Sequence, residues 1–306
     1  MMEKPRVLIT GANGLLGQKL VLLFQLHQYP FIATGRGPLR WFEHGIHFNY
    51  EPMDISDSND IHRVFSQFKP QFIIHAAAMT HVDQCELDPQ ACFLNNVTAV
   101  ENLLFAAEEY KAHFIHISTD FIFDGTSGPY SEEDIPNPLS VYGHSKWEAE
   151  KRVQAYAHAH TILRTVLVYG VSSGLSRSNI VLWARDCFKN KKPMKVVMDQ
   201  FRTPTFDEDL AQSCLLVVEK KAKGVFHISG DEHYSILDLV KEIGRFYNAD
   251  FSLISAVSSE ELNQPAKRPP ITGFIIEKAI RDLGYCPTPL KEGLKKVEKA
   301  IALIES

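Results

Sequence analysis

A doubly wound parallel α/β sheet, with a smaller C-terminal lobe interleaved with it, is the fold this sequence predicts, on three observations. Apolar runs of strand length (residues 6–10, 31–34, 72–75 and 114–118) alternate with segments whose apolar residues recur at helical spacing, the pattern of parallel strands joined by crossover helices. The first strand runs directly into a glycine-rich turn and an apolar helix. Small or polar residues follow several later strands, where such a sheet opens its ligand crevice.

The first strand, 6–10, and the first helix, around 20–26, flank Gly11-Ala12-Asn13-Gly14-Leu15-Leu16-Gly17. Between a strand and a helix, the first glycine permits the tight turn. The second lets backbone approach a pyrophosphate, and the third packs helix on strand. The helix N-terminus adds unpaired N–H groups and partial positive charge. Gly11, Asn13, Gly14, Leu15, Leu16 and Gly17 are thus a candidate dinucleotide cradle, with a purely structural turn as the alternative. Past the second strand, about twenty residues beyond the glycines, stands Arg36, with Arg40 behind it and no acid before Glu43. A cation there suits a 2′-phosphate and favours NADP(H) over NAD(H); a solvated loop cation is the alternative.

Met53-Asp54-Ile55 precedes an amphipathic helix bearing Ile61, Val64, Phe65 and Phe68. Asp54, with Ile55 beside it, either meets an adenine amino group or closes a turn. Strand 72–75 leads into Ala76, Ala77 and Ala78, small residues where backbone passes close to a cofactor. The next helix carries Val100, Leu103 and Leu104 at core spacing but also Asn95 and Asn96. Asn96 is either a cofactor contact or a satisfied buried amide. The loop 127–139, rich in proline and acid, can continue neither a helix nor a central strand and so borders the cleft at the surface.

Most of the chemistry follows strand 114–118. Thr119 and Asp120 come at its end, and Tyr142 and Lys146 lie four apart on one face of the next helix. An ammonium beside a phenol favours the phenolate and lowers a pKa that starts near ~10. The phenol can then exchange a proton with an oxygen near neutral pH, while a threonine hydroxyl holds that oxygen. A Tyr and a Lys at this spacing often arise by chance. What selects this pair is convergence: the glycine turn, Ala76–Ala78 and 118–120 fall on one edge of one sheet.

Beyond a strand at 162–169 come helices at 179–188, 207–219 and 236–247 and a strand at 225–229. Arg268-Pro269-Pro270 then breaks the chain, and a last helix runs from 289 to 304. The expected division is a dinucleotide-binding domain over 1–170, to which parts of 206–230 return, and a mainly substrate-binding lobe over 171–306.

Composition sets limits. With 306 residues and 45% hydrophobic content, the chain can bury a sizeable core. A net charge of -5 without a basic block argues against nucleic acid or an anionic membrane surface as a partner. The 5 Cys include no Cys-x-x-Cys and read as reduced core thiols. The start does not resemble a signal peptide, and no apolar run approaches the roughly 18 residues of a membrane span, so a cytoplasmic location is expected. The 13 His show no zinc-ligand spacing, so no metal is expected.

Taken together, Thr10-Gly11-x-x-Gly14-x-x-Gly17, Ser118-Thr119-Asp120 and Tyr142-x-x-x-Lys146 resemble the extended short-chain dehydrogenase/reductases, whose sheet is of Rossmann type. Several further stretches narrow the likeness to the dTDP-4-dehydrorhamnose reductase family, over nearly the whole chain. They are Ser-Thr-Asp-Phe-Ile-Phe-Asp-Gly at 118–125, Tyr-Gly-His-Ser-Lys at 142–146, Leu-Arg-Thr at 163–165, Asp-Gln-Phe-Arg-Thr-Pro-Thr at 199–205, and Arg268-Pro269. This resemblance implies an NADPH-dependent reductase of a nucleotide-linked 4-keto-6-deoxy sugar. Tyr142 would be the acid for the carbonyl oxygen, Lys146 would lower its pKa and hold the nicotinamide ribose, and Thr119 would orient the substrate oxygen. Tyr142 and Lys146 would thereby also touch the cofactor. The substrate would meet Thr80, Val82, Thr119, Asp120, Phe121, Asp199, Gln200, Thr205 and Arg268, and a homodimer is left open.

The family usually has Tyr where Phe121 stands and Trp where Leu167 stands, so the identity of the sugar does not carry over. Residues 268–274 also lack the polar groups usual after the Arg-Pro. The chain is similar as well to the β subunit of methionine adenosyltransferase, above all in Gly128-Pro129-Tyr130-Ser131-Glu132-Glu133-Asp134, which implies an NADP-binding regulatory subunit. A nucleotide-sugar epimerase or dehydratase is the third reading. Dehydratases usually have Asp-Glu after the threonine, where this chain has Asp120-Phe121.

Overall fold

A computed structural model describes residues 4–41, 47–174 and 178–305. β1 (Val7–Thr10) turns into α1 (Leu15–Leu26), and β2 (Phe31–Gly35) and β3 (Tyr50–Pro52) follow. α2 (Ser58–Phe68) begins where the Asp57 carboxylate caps the Asn59 N–H, and it ends at Lys69 in the left-handed region. Next come β4 (Phe72–His75), α3 (Val82–Leu87), α4 (Pro89–Phe93) and α5 (Ala99–Tyr110), with one wide π turn, Leu94–Thr98, between the last two. The sequence pattern reads a helix through Asn95, Asn96, Val100 and Leu104. The structure widens that helix at the asparagines, and the Asp88 carboxylate caps α4 ahead of them. β5 (His113–Thr119), α6 (Val141–Gln154) and β6 (His160–Thr165) complete this half.

The strand expected over 162–169 is two strands. After β6 the chain leaves the sheet at Val166 and Leu167, the latter with φ +39°, and resumes as β7 (Val168–Tyr169). The Thr205 hydroxyl donates to the Val166 carbonyl at 2.7 Å and holds the break open. α7 (Ile180–Lys189), β8 (Met194–Val197), β9 (Phe201–Arg202) and β10 (Thr205–Phe206) follow, and β10 pairs with β7. Then come α8 (Asp207–Lys220), β11 (Gly224–Ile228), β12 (Tyr234–Ser235), α9 (Ile236–Phe246), β13 (Ile254–Val257) and α10 (Leu290–Glu305).

Among the described residues the main sheet has seven strands, ordered β3-β2-β1-β4-β5-β6-β11 and all parallel. Its two faces bury alternate residues of each strand. Val7 and Ile9 pack with Leu20, Val21 and Phe24 of α1 and with Leu210, Leu215 and Val218 of α8. Leu8 faces the other way, onto Ile61, Val64 and Phe65 of α2, Leu103 of α5 and Val153 of α6. Each such side chain contributes roughly 1.5–3 kcal/mol when fully buried, so helices on both faces are what hold the sheet. A separate apolar core joins Val181 and Phe188 of α7, Val196 of β8, Leu239 and Ile243 of α9, and Leu294 and Val297 of α10. Strand order reverses between β1 and β4, and the carboxyl ends of those two strands open the crevice that positions the site.

Candidate active site

The turn after β1 and the segment after β4 meet at this reversal. Gly11 has φ +74°, and a Cβ there would lie 2.8 Å from the Ala77 nitrogen, so only glycine lets the two backbones touch. The Thr10 hydroxyl accepts the Ala77 N–H at 3.2 Å and meets His75 Nδ1 at 2.9 Å. Gly14 is the N-cap of α1 and supplies no side-chain cap. No acid stands in the first turn, where Leu15 and Leu16 are half-buried. Gly17 packs against the Gly11 carbonyl. Asn13 is buried: its amide donates to the Pro38 carbonyl (3.1 Å) and the Tyr50 hydroxyl (3.2 Å) and accepts the Arg40 N–H (2.9 Å). It thereby ties the glycine turn to the loop that bears Arg36, which is exposed. Glu43 lies outside the described residues.

Asp54 follows β3, and its Oδ1 accepts both the Ser56 N–H (2.9 Å) and the Ser56 hydroxyl (2.7 Å), so this carboxylate closes a turn. Ile55 is half-buried beside it. Ala76, Ala77 and Ala78 are half-buried. Asn96 is committed to the protein: it accepts the Met79 N–H (2.8 Å) and donates to the Met79 carbonyl and the Ser145 hydroxyl (3.0 Å each). It braces the Ala76–Met79 segment against α6.

Thr119 ends β5. Its hydroxyl accepts the Phe121 N–H and donates to Asp120 Oδ1, both at 3.2 Å. Ser140 caps α6 by accepting the Gly143 N–H, which puts Tyr142 in the first turn and Lys146 one turn on. A Cβ at Gly143 would come 2.2 Å from the Phe121 carbonyl, so the glycine brings this turn against the end of β5. The Tyr142 phenol reaches the Thr119 hydroxyl, and its ring meets Phe121 edge-on at 5.8 Å. Val82, Cys85, Cys92 and Ala266 pack around the same ring. Lys146 Nζ donates to the Ile117 carbonyl at 2.7 Å and meets His116 Nε2 at 3.1 Å.

One expectation is overturned here. Burial pushes the Tyr142 phenol up, with Asp120 and the two thiols acting the same way, and the Thr119 hydrogen bond opposes it. The net direction is upward, although the ammonium stands one turn along the same helix. Burial in turn pushes Lys146 down to about 8, against the pull of Glu150. The cause is dielectric: removing water penalises charge on either group, and the Thr119 hydrogen bond is too weak to offset this at the phenol.

Asp120 is buried, 3.5 Å from Arg202 Nε, and accepts the Thr272 hydroxyl; burial raises its pKa and Arg202 opposes the rise. Arg202 also donates to the carbonyls of Phe201 (2.6 Å), Pro269 (2.7 Å) and Pro270 (3.1 Å), and its guanidinium covers the Phe121 ring. Arg268 Nη2 bonds Asp83 at 2.7 Å, next to Val82. Segment 266–274 therefore forms one wall beside Tyr142. Asp199 is exposed and accepts from Ser259, and the Gln200 amide donates to the Ser259 hydroxyl at 2.9 Å. Thr80 is exposed just ahead of α3. Thr205 does not join these residues: its fully buried hydroxyl is spent on Val166 and on the Ile228 carbonyl at 3.3 Å, so it is closed to a ligand. Sequence reasoning missed Asp83, His116, Ser145 and Thr272 as neighbours of the site, and it passed over Arg202 inside a stretch it had singled out.

Among the described residues no helix is long and apolar enough to cross a membrane. The chain is 30% identical to a dTDP-4-dehydrorhamnose reductase of Aggregatibacter actinomycetemcomitans, over 95% of this chain and 98% of that protein. It is 35% identical to methionine adenosyltransferase 2 subunit beta of Bos taurus, over 83% of this chain and 75% of that one. The crystal structure of dTDP-4-dehydrorhamnose reductase from Bacillus anthracis in complex with NADP superposes with a TM-score of 0.84 at 28% identity, covering 97% of this chain and 99% of the other. The RmlD substrate binding domain family model matches residues 5–302, and the chain belongs to that family.

Proposed function

We propose that this chain is a reductase that uses NADPH to reduce a nucleotide-linked 4-keto-6-deoxy sugar of the dTDP-4-dehydrorhamnose kind, with Tyr142 as the proton donor. The observation that carries this is the placement of Tyr142: a buried phenol in the first turn of α6, its ring against Phe121 just past the end of β5, one helix turn before the buried Lys146. A reductase needs an acid at this position, and a protonated phenol can give its proton to the developing alkoxide. The Thr119 hydroxyl, which accepts the Phe121 N–H and donates to Asp120 Oδ1, would orient the ketone oxygen by turning its proton from the carboxylate to that oxygen.

The glycine turn fits a dinucleotide. Gly11 and Gly17 leave the backbone bare where a Cβ would collide, and the uncapped first turn of α1 offers N–H groups and positive potential to a pyrophosphate. Gly11–Gly17, Arg36 and Ala76–Ala78 would hold the cofactor, with Lys146 at the nicotinamide ribose. When bound, the nicotinamide supplies the hydride. Val82, Phe121, Asp120 and Arg268 would form the sugar pocket, with residues 171–306 contributing most of its outer wall. The test is a panel of nucleotide-linked ketosugars, each with NADPH, followed by absorbance and product identification. Turnover of a 4-keto-6-deoxy sugar supports the reading; no turnover across the panel sinks it.

A second reading is a regulatory subunit like the methionine adenosyltransferase relatives, favoured by identities of 33–35% to them. It predicts a stable complex with a methionine adenosyltransferase catalytic subunit on size exclusion, and no ketosugar turnover.

A further inference from the structure

The Lys146 ammonium is held from below by a neutral imidazole. His116 and Lys146 are both buried, and their Nε2 and Nζ atoms lie 3.1 Å apart. An ammonium only donates, so this bond makes Nε2 the acceptor and puts the imidazole proton on Nδ1. Among the described residues His116 Nδ1 has no hydrogen-bond partner, nor does the hydroxyl of Ser118, two residues on and on the same face of β5. The charged and titratable groups facing the ammonium come from four elements: Glu150 from α6, Cys92 from α4, His116 from β5, and His75 from β4. His75 stacks on His116 at 5.6 Å and bonds Thr10. Burial and the neighbouring ammonium hold both imidazoles neutral, His116 far below its ordinary value and His75 at about 3. The lysine keeps the charge for this cluster.

We propose that His116 is a positioning residue: its Nε2 lone pair keeps Lys146 charged and in place, and so sets the alkaline limit of the reaction. A hydrogen bond to the charged form of a group favours that form. Without it the buried ammonium keeps, among the described residues, the Ile117 carbonyl alone as acceptor, and Lys146 loses its proton at lower pH. The proposal rests on the reductase reading given above for its catalytic consequence, but not for the coupling itself.

The test reads Lys146 directly. In full-length protein carrying ε-carbon-labelled lysine, the Lys146 resonance is assigned by its loss in Lys146→Met and titrated without substrate. The wild-type midpoint is expected at about 8. His116→Phe keeps a ring and removes the acceptor, and should lower the midpoint by about one pH unit. His116→Gln restores an acceptor oxygen and should recover most of that shift. The alkaline limb of NADPH oxidation should move by the same amount in the same direction. An unchanged Lys146 midpoint in folded His116→Phe overturns the proposal. So does a nitrogen-15 spectrum of the wild type that puts the His116 proton on Nε2, a measurement that needs no variant. A shifted midpoint in a chain that oxidises no NADPH supports the coupling and counts against the reductase reading alone.

Discussion

The Arg202 guanidinium lies 3.5 Å from the Asp120 carboxylate, and neither side chain has more than 4% of its surface exposed. Asp120 follows Thr119 directly, and Arg202 fans out to the carbonyls of Pro269 and Pro270. The pair thus ties the end of β5 to the wall formed by residues 266–274.

Removing the guanidinium should be costly. Arg202→Met leaves a buried charge at Asp120 without its cation, and is expected to lower stability by about 3–5 kcal/mol. Arg202→Lys should rescue little, since one ammonium cannot span three carbonyls and a carboxylate. Denaturant titration checks both. A midpoint for Arg202→Met equal to that of the wild type would show that the pair holds nothing together.

Asp207 predicts a pH effect on stability. Its carboxylate, buried in the first turn of α8 with Lys19 3.8 Å away, is pushed up to about 7 by burial. Between about pH 4 and about pH 7 the folded chain therefore holds a proton that the unfolded chain has released. Stability falls as pH rises through that window, and above it the full cost of the buried charge stands. Asp207→Asn is expected to be more stable than wild type by about 2–4 kcal/mol at about pH 8, by about 1–2 kcal/mol at about pH 5, and close to equal at about pH 4. Lys19 keeps Glu208, also 3.8 Å away, as a partner. A variant less stable at the higher pH would contradict the sign.

Arg36 should choose between the two nicotinamide cofactors. It stands exposed just past the end of β2, beside the loop that Asn13 ties to the glycine turn. Arg36→Ala is expected to weaken NADPH binding about tenfold and to leave NADH binding unchanged. Fluorescence titration with each cofactor checks this; an equal loss for both would remove Arg36 from the 2′-phosphate.

What the sequence made legible was local. Strand, glycine turn and helix lie within twenty consecutive residues, and a Tyr and a Lys four apart must share a helix face, so the glycine turn and the Tyr142–Lys146 pair could be read directly. The crevice followed from topology, because alternating elements leave few ways to order a parallel sheet. Contacts across long stretches of chain were not legible. Nothing near Asp120 announces Arg202, and nothing near Arg268 announces Asp83. The sequence left Asn96 open between a ligand contact and a satisfied buried amide, because its partners Met79 and Ser145 come from other elements. Thr205 belongs to a telling stretch, yet its side chain points into the break between β6 and β7. Spacing put Tyr142 and Lys146 together correctly but misjudged the phenol, because a sequence shows which charges are near and not how little water remains.

The most direct test of the central claim compares wild type with Tyr142→Phe in NADPH oxidation with dTDP-4-dehydrorhamnose, alongside NADPH affinity. The ring of the variant still packs on Phe121 and Val82, so the fold and cofactor binding should persist. Turnover should fall by about 10²–10⁴-fold. Tyr142→Phe with wild-type turnover, or a wild type that binds NADPH and never oxidises it with this sugar, would contradict the account.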